Sequence, residues 1–160
     1  MKPIAVLFQI VSIILLGAFT GAMIMLYTAI LSFWKKTTPQ DFLDWYDSYA
    51  SGIMDATGPL VMASIGLPLI CFVLVIKNRE SRIYWLGSFL LSVIIMIITL
   101  SYFVDINTSF SDQTIKLGKI KETLKTWGDF HLIRILLAFI STLFATIGLV
   151  KHISSKRQID

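Results

Sequence analysis

Charge is the first thing this chain is short of. Of its 160 residues 15% are charged and 56% are hydrophobic, with a mean hydropathy of +0.77. An ordinary soluble domain carries about a quarter of its residues as charges, so the chain belongs in a bilayer. Cysteine is reduced to one residue, Cys71, inside an apolar run. That excludes an intrachain disulfide, a CxxC redox centre and any cysteine-rich metal site. The two histidines, His131 and His152, lie at opposite ends of the last apolar run, which excludes a haem held by two histidines of one chain. One histidine among scattered carboxylates has no metal-ligand spacing, so neither a cofactor nor a metal is expected. Repeats, low-complexity tracts and flexible linkers are also missing, and residues 1–160 read as a single membrane domain.

Four runs are long and apolar enough to cross a hydrocarbon core of about 30 Å, which takes roughly 20 helical residues. They are Pro3 to Trp34, Pro59 to Ile76, Ile83 to Val104 and Phe130 to Val150. The first begins like a signal peptide, with Lys2 ahead of Ile4 to Leu16. It continues through Met23-Ile24-Met25-Leu26 to Phe33-Trp34 without a small-x-small cleavage site, so it is expected to stay as a helix.

Four helical spans put both termini on one side. That side carries Lys2, Lys77, Arg79, Arg82, Lys151, Lys156 and Arg157 against Glu80 and Asp160, and the other side carries seven basic against eight acidic residues. Lys and Arg therefore tie in number, and the density of the Lys77 to Arg82 turn and of the tail breaks the tie. The expectation is an integral protein of the plasma (inner) membrane with both termini cytoplasmic. The net charge of +4 flanks a span, where anionic lipid accounts for it, and nucleic acid is not indicated.

The first outer connection has a helix start in Thr38-Pro39-Gln40-Asp41, with a capping hydroxyl, proline at the first helical position and an early acid. Phe42, Trp45, Tyr46 and Tyr49 then fall on one face. This amphipathic helix serves either as an aromatic anchor in the interface or as a lid. In the second connection Ile120, Leu124, Trp127 and His131 form a stripe that runs into the fourth span. Asp105-Ile106-Asn107-Thr108-Ser109 reads as the turn that ends span three. The expected fold is thus all-α, a four-transmembrane-helix bundle with an amphipathic helix in the first outer loop and an extended fourth helix. Gly17 and Gly21 offer a GxxxG face for close helix packing, compatible with a homo-oligomer. Pro68, with Gly66, should kink span two by freeing the carbonyl near Ser64, and Met23, Met25 and Met62 read as packing residues.

His131 and Arg134 sit one turn apart where span four opens. Ionisable groups at membrane depth are costly and rare, which makes this the candidate site. Histidine titrates near neutrality and arginine keeps its charge, so the pair could move a proton and hold an oxyanion. Asp55, Asp105 and Asn107 reach similar depth at the outer helix ends, and Tyr27 and Trp127 stand beside them as ligand-binding candidates. The alternative is a structural clasp, in which Asp105 neutralises Arg134 and a backbone carbonyl caps His131.

The order of these features resembles the DUF1772, or anthrone-oxygenase-like, membrane family. The resemblance rests on the small-residue stretch Gly17 to Ala22, on Phe42-Leu43-Asp44-Trp45 followed by Met54 and Pro59, on Asn107, and on Trp127-x3-His131-x2-Arg134. Where the family has an Asn-x-Pro-x-Asn-like turn, this chain keeps the last asparagine as Asn107 and has Phe103 and Asp105 at the earlier positions. The resemblance implies a membrane bundle that binds a small lipophilic phenolic or quinol-like molecule and oxygenates it without a cofactor. His131 would take the proton, and Arg134 with Asn107 would hold the enolate oxygen. The competing reading is a non-catalytic lipid-binding or accessory subunit with a structural Asp-Arg-His cluster.

Overall fold

The computed structural model describes residues 3–157, and for residues 156 and 157 the backbone alone. The charges counted at Lys2 and Asp160, and the side chains of Lys156 and Arg157, lie outside the described residues. The described chain is all helical. Helix α1 spans Pro3–Trp34, α2 Pro39–Leu74, α3 Arg79–Ser111, and α4 Ile120–Arg157 after a short 3-10 turn at Leu117–Lys119. All four are long and apolar enough to cross a membrane, and the protein is an integral membrane four-helix bundle. Each helix packs on its sequence neighbours and α4 closes back on α1.

Local chemistry sets the ends. Thr38 caps α2 by accepting the Asp41 amide at 3.2 Å, with Pro39 in the first turn. Asn78 caps α3 by accepting the Ser81 amide at 3.1 Å. Its Nδ2 also donates to Ser155 Oγ at 2.6 Å, which ties the α2–α3 turn to the end of α4. Gln113 takes φ 51 after α3, the left-handed turn that lets Thr114 N reach the Ser109 carbonyl and stops the helix.

Two expectations change at the end of the bundle away from the termini, called outer only in that sense. The amphipathic helix is present, but it runs without a break into span two through Pro59 and Pro68. The segment Asp105 to Ser109 is helix rather than turn. A π-turn at Thr99–Phe103 inserts one extra residue, and α-helix resumes from Val104 to Ser111. A second π-turn lies in α1 at Leu26–Ile30.

The core is layered along the bundle. Leu16, Cys71, Trp85 and Ala145 form the inner layer, and Phe19, Met23, Ile95 and Ala138 the middle one. An aromatic outer layer gathers Trp34, Phe42, Tyr46, Phe103, Phe110 and Trp127. Leu7, Ile14, Met62, Ile97 and Leu136 stay exposed, as lipid-facing side chains do. Lipid removes most of the hydrophobic drive between helices, so close approach and polar contacts have to supply it. Along the α3–α4 seam Ser141 bonds Ser88 at 2.9 Å, and Ser81 donates to the Gly148 carbonyl at 2.7 Å. Gly87 lies against Phe144, and Gly148 against Trp85.

The GxxxG face does not do this packing. Gly17 and Gly21 are exposed and face open space. His152 is 5% exposed and accepts from Gln9 Nε2 at 2.7 Å through Nδ1.

Candidate functional site at the outer end of the bundle

The stripe on α4 is buried as its spacing requires. Ile120, Leu124 and Trp127 enter the aromatic outer layer, and His131 follows at 1% exposure. Its Nε2 lies 2.9 Å from the Met23 carbonyl. A carbonyl only accepts, so Nε2 carries the hydrogen and, in the neutral ring, Nδ1 carries the lone pair. Nδ1 is buried with no hydrogen-bond partner. The ring is stacked between Trp127, at 4.7 Å and 12°, and Tyr27, at 6.3 Å and 5°. Phe103 meets it edge-on at 6.2 Å. Both π-turns supply one of these rings, Tyr27 in α1 and Phe103 in α3. The extra residue in each turn re-aims the side chains after it, and such turns gather at functional sites.

Arg134 places its guanidinium carbon 4.2 Å over the Phe103 ring. Its Nε is buried without a hydrogen-bond partner. Among the described residues the ion pairs are Lys119–Glu122 and Lys151–Glu80, so the expected Asp105–Arg134 clasp is not formed. Asp105 is exposed. The other half of the clasp reading, a backbone carbonyl on His131, is present at Met23. Asn107 accepts from Trp127 Nε1 at 3.1 Å through Oδ1.

A narrow chamber of about 90 Å³ is lined by His131, Arg134, Asn107, Trp127, Tyr46 and Phe103, among others. Arg134, Asn107 and Phe103 also line an adjoining cleft of about 670 Å³ between α2 and α3, with Met54, Val61 and Met62 among its apolar residues. The cleft is of the size that holds drug-like molecules. The chamber is too small for one. A ligand in the cleft therefore meets Arg134 and Asn107 directly and reaches His131 through an edge or a water placed in the chamber.

Of the residues singled out from sequence, His131, Arg134, Asn107 and Trp127 come together. Tyr27 joins them through the imidazole stack without lining either space. Asp55 and Asp105 are exposed and line neither. Sequence reasoning missed Phe103 as the platform for Arg134 and Met23 as the acceptor for His131. An aromatic ring and a main-chain carbonyl in apolar runs give no signal of either role. Among the described residues no group of three His, Cys, Asp or Glu side chains is placed to hold a metal ion.

The geometry bears on kinship. The profile of a family described as anthrone oxygenase matches residues 45–144, which include Asn107, Trp127, His131 and Arg134. No curated protein and no solved structure matches the chain. The match covers more than half of the sequence, and the chain belongs to the anthrone oxygenase family.

Proposed function

We propose that the protein binds a small lipophilic phenol of the anthrone type in the outer cleft and oxygenates it with dioxygen, without a cofactor. One observation carries the reading: a buried imidazole with an unpartnered Nδ1 shares a chamber with an arginine that has no carboxylate beside it. Nδ1 of His131 and Nε of Arg134 have no hydrogen-bond partner in the protein, and both residues line the chamber.

In this mechanism Nδ1 of His131 removes a proton from the methylene carbon of the anthrone, directly or through one water. The carbonyl oxygen takes up the charge as an enolate, and Arg134 and the Asn107 amide stabilise it. The electron-rich carbon then adds dioxygen. The resulting peroxide gains a proton to become a hydroperoxide, and loss of the second methylene proton with O–O cleavage releases water and leaves the new carbonyl. One anthrone and one dioxygen give one anthraquinone and one water. The protein's share is proton transfer, charge stabilisation and an apolar enclosure.

The test is direct. Detergent-purified protein, given dihydroxyanthrone and oxygen, should form the quinone faster than buffer, with oxygen consumed one to one. No binding and no excess quinone over buffer would reject the oxygenase reading in favour of a non-catalytic lipid-binding subunit.

A further inference from the structure

We propose that Trp127 is a positioning residue, whose indole N–H holds the Asn107 amide with its NH₂ group turned toward the ligand. The proposal rests on the ligand site described above, and it assigns Trp127 a role other than lining that site.

The indole N–H can only donate and a carbonyl oxygen can only accept. The 3.1 Å contact between Trp127 Nε1 and Asn107 Oδ1 therefore fixes which end of the amide faces which way, an assignment that is otherwise ambiguous for asparagine. With Oδ1 engaged, Nδ2 is left as the free end, and no described residue accepts from it. Asn107 lines both the chamber and the cleft, as Arg134 does. A free amide oxygen there would repel a phenolate or enolate, whereas a free NH₂ donates to it.

The indole is itself immobilised. It packs edge-on against Trp34 at 5.5 Å and 73°, and against Phe103 at 5.2 Å and 76°. Its face lies on the His131 ring at 4.7 Å. Trp127 is 5% exposed, so bulk water has little access to the N–H. One side chain thus sets the orientation of the donor on α3 and the plane of the imidazole on α4.

Trp127→Phe keeps an aromatic ring on His131 and removes the N–H. A benzothienyl analogue of tryptophan at the same position keeps the full shape without the N–H, and serves if the phenylalanine variant does not fold. Either exchange should lower kcat on dihydroxyanthrone by up to about 10²-fold, the share of one preorganised donor, with KM little changed. In an Asn107→Ala background the same exchange should have no further effect, because both changes then remove one interaction. Effects that multiply would overturn the proposal.

A second readout needs no ligand. The ¹⁵N indole resonance lost in Trp127→Phe should exchange its hydrogen slowly in the unsubstituted protein, then shift and exchange faster in Asn107→Ala. A resonance indifferent to Asn107→Ala overturns the proposal even in an active enzyme. A protein inert toward dihydroxyanthrone rejects the oxygenase reading alone, and the indole measurement still decides the orientation of the amide.

Discussion

Arg134 carries its charge at the mouth of a membrane span with an aromatic face in place of a carboxylate. A desolvated cation–π contact is worth about 2 kcal/mol, which offsets part of the burial while leaving the guanidinium edge for a ligand. Asp105, two residues before Asn107, is turned by about 200° around the helix and is exposed. Charge complementarity in the sequence suggested it as partner, but helix phase sends it the other way. Asp105→Asn should accordingly change thermal stability by less than about 0.5 kcal/mol, as surface substitutions do. A larger loss on unfolding in detergent would restore the clasp. The two nitrogens of His131 have different tasks. Glutamine can still donate to the Met23 carbonyl but offers no base where Nδ1 stands. His131→Gln should keep the fold and lower dihydroxyanthrone turnover by about 10²- to 10⁴-fold, and unchanged turnover would remove the acid–base role. His131 and Arg134 were legible because ionisable groups stand out where an apolar run opens, Trp127 through its helical spacing ahead of His131, and Asn107 through the family resemblance. Phe103 and Met23 do not stand out there, and their parts become visible only once α1 and α3 are packed on α4.

At the level of the elements, helix type and number follow from run length alone, and the boundaries do not. A span needs roughly 20 residues, but a helix can continue past the bilayer wherever its apolar face finds cover. Phe42, Tyr46 and Ala50 on α2 find it against the aromatic outer layer, so capping at Thr38 starts a helix that ends only at Leu74. Pro59 is tolerated inside it. The carbonyl it deprives of a donor belongs to Asp55 at an exposed stretch. Both π-turns were illegible, since one added residue in an apolar segment leaves composition and pattern unchanged. The glycines separate by environment rather than by motif. A Cβ on Gly148 would sit 2.8 Å from Trp85 Nε1, whereas one on Gly21 meets nothing within 4 Å. Gly148→Ala should destabilise the α3–α4 seam by about 1–3 kcal/mol through overpacking. Gly21→Ala should be neutral or slightly stabilising, as glycine costs up to about 1 kcal/mol within a helix. Unfolding of the two variants in mixed detergent micelles compares them, and equal effects would contradict the packing described for the seam.

At the scale of the whole molecule, the bundle puts its two polar ends to different uses. At one end lie the aromatic layer, the chamber and the cleft. At the other, Asn78 bonds Ser155 and Gln9 bonds His152, which fastens the α2–α3 turn and the first helix to the end of α4. That end also carries the dense basic residues of Lys77 to Arg82, and basic density is what cytoplasmic loops retain. The site end is therefore expected to face away from the cytoplasm. Single cysteines report this in a Cys71→Ser background, provided the sites are exposed and bond no other helix. Ser48, Lys77 and Ser154 are exposed, while Asn78 and Ser155 hold each other and are unsuitable. An impermeant thiol reagent on intact cells should label the Ser48 variant alone, and permeabilised cells all three. Labelling at Lys77 or Ser154 with Ser48 silent would invert the bundle. A lipophilic phenol would then have to meet His131 and Arg134 from the cytoplasmic leaflet.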